Sequence, residues 1–275
     1  MHFVKNMNTK LEKAEISLIL EKKENNQQNM LLAAAQTNPL RENTAQNLDN
    51  HCHIIEKASD LGVDLIVFPE MSLTGYEREK AREQAYHMGD MRLKKLWNLS
   101  VDRNIVIIAG APVVVGNDVY IAAFIFQPTG QFAIYTKQYL HEGEAPFFNS
   151  SFYYCPEIEL GDDKLSVAIC ADIEHAKHIE SAKNAGNSIY LASMFYTPQS
   201  MEKACEKLGY YAKNYDMDIL MANYCGKSWE LEAGGKSAFW NKKGEPVAQL
   251  DGQRTGLLLV EKNQQDWTAK MIYDE

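Results

Sequence analysis

The sequence predicts an α/β fold, a mixed β-sheet system covered by helices. Three observations carry this. Helix-like and strand-like segments mostly alternate along the chain. Several strand-like segments, such as Leu65–Phe68 and Ile189–Ala192, are continuous apolar runs, as buried strands are. Hairpin-like pairs interrupt the alternation, so the sheets cannot be purely parallel.

The elements follow in order. Leu31–Gln36 reads as a buried strand. Asn43 or Thr44 is placed to cap a helix running to about Leu61, with Leu48, Cys52, Ile55 and Ala58 at helical spacing and Gly62 closing it. Asp64–Pro69 is a second strand. Lys80–Arg103 is charged and helix-favouring, with a break at Met88-Gly89-Asp90. Asn104–Val115 is a strand, and Val119–Gln127 and Gln131–Tyr139 flank a turn at Pro128-Thr129-Gly130. Leu165–Cys170, Ser188–Met194 and Ile219–Asn223 are strands separated by helices at His175–Ala185 and Met201–Tyr215. The C-terminal part is β-rich: Ser237–Trp240, Pro246–Leu250, Thr255–Val260 and Trp267–Tyr273. Residues 1–28 are polar, with a weakly biased stretch at Glu24–Gln28, and read as an N-terminal extension that leaves Met30 as a candidate start. Residues 29–275 then form one domain.

Composition narrows the function classes. The 275 residues carry a net charge of −9, which argues against a nucleic-acid or anionic-membrane surface. No apolar run is long enough to span a bilayer, and residues 1–28 lack the apolar core of a signal peptide. Five scattered cysteines with no CxxC pair are not a disulfide framework, so a reducing cytoplasm fits.

The chemistry lies at strand ends. Glu70 closes Leu65-Ile66-Val67-Phe68-Pro69, Lys137 follows Phe132–Thr136, and Cys170 closes Leu165–Ile169. A carboxylate at the tip of a buried strand is desolvated and suited to proton transfer near neutrality. A lysine can stabilise an oxyanion and lower the pKa of a nearby thiol. A cysteine at a sharp strand-to-helix turn can attack substrate, with Asp172 capping the helix that follows. Singly, each has a bland reading: a loop glutamate, a surface lysine, a buried cysteine packed as a small hydrophobe.

Together they are specific. Leu65–Glu70 with Gly75-Tyr76, Tyr135-Thr136-Lys137-Gln138-Tyr139-Leu140 with Gly143-Glu144, and Val167-Ala168-Ile169-Cys170-Ala171-Asp172 occur in the order of three blocks of the nitrilase superfamily of carbon–nitrogen hydrolases, which the chain resembles from about Met30 to its end. Weaker echoes follow at Leu191–Met194, Ala222-Asn223 and Gly235-Lys236-Ser237 with Gly244. The resemblance implies a four-layer α-β-β-α sandwich, commonly dimerised through its helices, hence a homodimer or higher homo-oligomer. It implies Cys170 as nucleophile, Glu70 as general base, Lys137 as stabiliser of the tetrahedral intermediate, and Glu144 as a second glutamate that positions substrate and lysine, with Glu142 its rival two residues away. It implies a small amide, N-carbamoyl or nitrile substrate, and no metal or organic cofactor. Among these, amide or N-carbamoyl hydrolysis through a covalent thioester ranks first. A nitrilase activity, or a non-catalytic binding protein that kept the fold, stands as the alternative; fast thiol labelling of Cys170 separates the enzyme from the binding protein. One departure bears on substrate: many members carry an arginine where this chain has Glu174, which disfavours anionic-substrate recognition there.

Other readings are weaker. Gly235-Lys236-Ser237 lacks the earlier P-loop glycine, since position 230 is Glu230, and a strand follows. His175 and His178, with Cys170 and Asp172, could mimic a zinc site without its usual spacing. A Cys–His pair using His175 or His141 leaves Glu70 and Lys137 unexplained. Tyr76, Phe147, Phe148, Met194, Phe195 and Tyr196 are candidate pocket-lining side chains, with core packing the equal alternative for each.

Overall fold

The computed structural model describes residues 29–228, 230–264 and 266–274; residues 1–28, expected to be an N-terminal extension, lie outside the described residues. Strand β1 (Met30–Gln36) leads to helix α1 (Thr44–Asp60). The Asn43 side chain accepts the Gln46 N–H, and Gly62 takes the positive φ that ends the helix. Strand β2 (Leu65–Val67) follows. The stretch expected to be helical from Lys80 to Arg103 is broken up. It holds helix α2 (Ala81–Gln84), strand β3 (Tyr86–His87) and helix α3 (Lys94–Asp102). Burial outweighs helix propensity there: Tyr86 is fully buried, its ring lies edge-on to Phe124, and the Arg92 guanidinium covers it at 4.0 Å.

Strands β4 (Val106–Val115), β5 (Asp118–Phe126) and β6 (Phe132–Thr136) form the expected meander, with β7 (Ile158–Leu160) and β8 (Asp163–Ile169) beyond it. Helix α4 (Ala176–Asn184), strand β9 (Ile189–Ser193), helix α5 (Pro198–Tyr215) and strand β10 (Asp218–Ala222) continue the alternation. A two-residue pair, β11 (Lys227–Ser228) and β12 (Leu231–Glu232), precedes β13 (Ala238–Trp240), β14 (Pro246–Gln249), β15 (Gly256–Asn263) and β16 (Asp266–Tyr273).

One sheet runs β16-β15-β1-β2-β4-β5-β6, with β3 on β4; the second runs β14-β13-β10-β9-β8-β7. Side-chain parity builds four layers from them. Leu32, Ala34, Leu65 and Val67 face Val167, Ile169, Leu191 and Leu220 between the sheets. Ala33, Ala35, Ile66 and Phe68 pack instead on Leu48, Ile55 and Leu96 of α1 and α3. Ala168, Tyr190, Ala192 and Met221 pack on Ile179, Met201 and Leu208 of α4 and α5. Strands covered on both faces explain the uninterrupted apolar runs. The order is α-β-β-α. No helix among the described residues is long and apolar enough to cross a membrane.

Within each sheet the central strands are parallel: β1, β2 and β4 in one, β8, β9 and β10 in the other. Their carboxyl ends are where α/β proteins place ligand sites. Glu70 lies just past β2, and Cys170 just past β8.

Candidate active site

Glu70, Lys137 and Glu144 meet as one buried cluster. Each is fully buried. Lys137 Nζ donates to Glu70 Oε1 at 2.8 Å and to both oxygens of Glu144 at 2.8 Å. Tyr76 OH donates to Glu144 Oε1 at 2.7 Å, and the His141 backbone N–H to Glu144 Oε2 at 2.7 Å. Glu142 is exposed, so Glu144 is the glutamate that reaches the lysine. Glycine at 110 makes room for the Glu70 backbone. A Cβ there would stand 2.4 Å from the Met71 nitrogen and 2.7 Å from the Pro69 oxygen.

Cys170 begins a one-turn helix, Cys170–Glu174, directly after β8. Its φ of 44° lies in the left-handed region that a side chain adopts only when its surroundings impose it. This is the elbow expected from the sequence. The thiol faces the Phe195 carbonyl oxygen at 3.8 Å.

Burial dominates the proton affinities. It raises Glu70 to about 7, with Lys137 pulling down and Glu144 pushing up. Burial works against the Lys137 charge, but Glu70, Cys170 and Glu144 outweigh it, and the lysine is held above its ordinary value. The Cys170 thiol is pushed well up by burial and then by Glu70; the lowering by Lys137 is outweighed. The resting site therefore favours a neutral thiol beside a base that ionises near neutrality, not a preformed thiolate.

Asp172 caps the one-turn helix Cys170–Glu174 through the Ile169 N–H, not the longer helix after it, and it does more than cap. Helix α4 starts at Ala176 with no side-chain cap. The fully buried Asp172 carboxylate accepts from the backbone N–H groups of Gln138, Tyr139 and Ile169 at 3.0, 2.9 and 2.9 Å, and from Tyr135 OH at 2.6 Å. β6 ends at Thr136, three residues short of the expected Tyr139: the Lys137 N–H still donates to the Ile121 carbonyl, but the Gln138 and Tyr139 N–H groups turn to the carboxylate. The bonds to Asp172 also tie the lysine-bearing segment to the elbow. Tyr135 OH accepts in turn from His178 Nε2 (2.7 Å), whose Nδ1 accepts from Tyr190 OH (2.7 Å). Replacing Asp172 with alanine leaves four donors unpartnered, and the expected cost is about 3 kcal/mol or more. Urea denaturation checks this; a loss under about 1 kcal/mol would contradict the clamp.

The other sequence-level candidates fall elsewhere. Both His178 ring nitrogens serve tyrosines, and His175 stacks on Tyr139 at 3.8 Å. Among the described residues no three His, Cys, Asp or Glu side chains form a metal-binding group. His141 Nδ1 pairs with the Glu142 carbonyl rather than with the thiol. Ser237 N–H donates to Gln36 Oε1 and a strand follows, as a sheet segment requires.

A cavity of about 510 Å³ opens over Cys170, lined among others by Tyr76, Phe195, Tyr196, Arg78 and Lys203. Tyr76 and Phe195 stack at 4.7 Å. Of the remaining expected lining residues, Met194 packs in the outer core under α5, and Phe147 and Phe148 pack in the inner core. Glu174 accepts from Tyr196 OH at 2.7 Å and pairs with Lys207. A larger cavity of about 620 Å³ lies beside α1, around His51 and Asp274, and does not include the thiol.

Comparison with known proteins gives the family. The carbon–nitrogen hydrolase family model matches residues 31–270. The glutamine-dependent NAD(+) synthetase of Thermotoga maritima is 27% identical over 224 residues, 78% of this chain but only 38% of that protein's length. A nitrilase of Pyrococcus abyssi is 29% identical over 227 residues, 79% of this chain and 83% of its own length. The amidase of Nesterenkonia sp. AN1, as a cysteine-to-alanine mutant with butyramide, superposes with a TM-score of 0.77 at 23% identity, covering 85% of this chain and 90% of that one. A glutamate-to-glutamine mutant of the same amidase, bearing the acetamide moiety of fluoroacetamide on its active-site cysteine, gives a TM-score of 0.78 at 24% identity over 85% and 90%. At that identity the likeness establishes the fold, and the family match establishes the rest: the chain belongs to the carbon–nitrogen hydrolase family of the nitrilase superfamily and is an enzyme of that class.

Proposed function

We propose that the protein cleaves the non-peptide C–N bond of a small amide or N-carbamoyl compound through a thioester on Cys170, releasing ammonia or an amine. The observation that carries this reading is one buried lysine held between Glu70 and Glu144, near a cysteine in a left-handed elbow under the cavity. Glu70 takes the thiol proton as sulfur attacks the carbonyl carbon. Lys137 faces the developing oxyanion. Its charge survives the transfer, because Glu144 stays paired to it when Glu70 becomes neutral. Protonated Glu70 then gives its proton to the departing nitrogen. Water attacks the thioester with Glu70 again as base, and the acid leaves.

Two features narrow the substrate. Tyr76, Phe195 and Tyr196 line the cavity together with Cys170, which suits a small acyl group. Glu174 stands where the family often has arginine and is paired with Lys207, so that position offers a substrate carboxylate no cation, and neutral amides rank first. The butyramide bound by the amidase relative supports the same class. The nitrilase relative makes nitriles the second arm of the test. Five unpaired cysteines support a reducing cytoplasmic setting, and exposed Tyr210, Phe152 and Tyr153 offer apolar surface for a homo-oligomer.

The test is ammonia release from small amides, N-carbamoyl amines, N-carbamoyl amino acids and nitriles. Turnover of neutral amides or carbamoyl amines supports the reading; turnover of nitriles alone would replace it. Gly110→Ala is expected to cut kcat/KM at least about tenfold by shifting Glu70, read in the same assay.

A further inference from the structure

Two buried polar atoms near the thiol make no hydrogen bond of ordinary geometry with the protein, Glu70 Oε2 and the hydroxyl of Tyr224; the Glu70 carboxylate also interacts with the Cys170 thiol, whose hydrogen is gone once the thioester has formed. Tyr224 is fully buried. The topology sets it beside the glutamate. β1 and β2 are parallel with Ala34 opposite Val67. Three residues further along each chain stand Thr37 and Glu70, and Thr37 bridges to Tyr224. The Tyr224 ring meets Phe195 edge-on at 5.0 Å, and the Phe195 carbonyl faces the Cys170 thiol. Burial, with the Glu70 charge in support, holds the phenol well above its ordinary value, so it stays a neutral hydroxyl.

Buried polar atoms are almost always satisfied by protein or by ordered water. An unpartnered carboxylate oxygen and an unpartnered hydroxyl, on neighbouring strand ends next to the nucleophile, suit one small molecule that can donate to the first and pair with the second. We propose that Tyr224 and Glu70 Oε2 hold the water that hydrolyses the Cys170 thioester, making Tyr224 a positioning residue for the second half of the reaction. This rests on the thioester reading above. The water oxygen bonds to the thioester carbon and one of its protons passes to Glu70. The C–S bond breaks, the carboxylic acid leaves, and the proton on Glu70 returns to the sulfur.

Tyr224→Phe keeps the ring and its contact with Phe195 and removes only the hydroxyl. The experiment loads Cys170 with 4-nitrophenyl butyrate, follows 4-nitrophenolate release for acylation, and follows loss of the butyryl group by intact mass, with Cys170→Ala as blank. Deacylation at least about tenfold slower, a change of about 1.4 kcal/mol, with acylation within about twofold of wild type, is the expected result. Deacylation within about twofold of wild type, or acylation slowed as much as deacylation, would overturn the proposal while leaving the thioester reading intact. Release of 4-nitrophenolate with no acyl group on Cys170 in either wild type or Tyr224→Phe, and undiminished in Cys170→Ala, would overturn both.

Discussion

Replacing Cys170 with alanine is expected to abolish ammonia release, by about 10⁴-fold or more. The reason is covalent: no other thiol lies in the cavity with the Glu70–Lys137–Glu144 cluster behind it, and an alanine methyl cannot attack. The fold should survive. Alanine is smaller, suits the same buried position and accepts the left-handed backbone about as well as cysteine does. Ammonia assay and thermal unfolding of the same preparation check both halves. Retained turnover above about 1% of wild type would remove Cys170 as nucleophile. Burial and Glu70 hold the Cys170 thiol in its neutral form, so the fast labelling at neutrality expected from the sequence is corrected: alkylation of wild-type Cys170 should accelerate with pH, and turnover rather than labelling separates the enzyme from a binding protein.

The second large effect is Glu70→Gln. The amide keeps the shape but cannot take the thiol proton, and kcat should fall about 10³-fold or more. The pH dependence identifies the base. With Glu70 raised to about 7 by burial, wild-type kcat/KM should climb through pH 7 as the carboxyl ionises. That limb should vanish in the variant. The same shift has a stability consequence. A carboxyl whose folded pKa lies above its ordinary value of 4.5 favours the fold at low pH, and that contribution is lost as pH rises from about 4.5 through about 7. Wild type should therefore lose stability over that window relative to Glu70→Gln, as read by urea denaturation at several pH values. Parallel pH dependences would contradict the assignment.

Much of the fold was legible because its central strands are covered on both faces, which writes them as apolar runs. The same covering made strand ends conspicuous, since Glu70, Lys137 and Cys170 each follow such a run. What escaped detection depends on contacts between distant segments. Tyr86 sits in a charged, helix-favouring stretch, and only its burial against β4 and Phe124 makes it a strand residue. Asp172 has the look of a helix cap from its neighbours alone, and it caps the one-turn helix through Ile169, but its other three partners come from the end of β6 and the two residues at 138 and 139. Met194 is misplaced as a pocket residue, yet parity held the answer: it is in phase with Tyr190 and Ala192, which face the helices. Tyr224 carries no local signal, because its position is set by a bridge to Thr37 from the other sheet.

The central claim is a covalent acyl group on Cys170. Wild-type protein mixed with butyramide, quenched in acid and digested should yield a Cys170 peptide whose mass exceeds the free peptide by the amide less ammonia. The species should form as ammonia appears and be absent from Cys170→Ala. Ammonia release at full rate with Cys170 unmodified throughout, in a variant such as Tyr224→Phe chosen to prolong the intermediate as well as in wild type, would contradict the account.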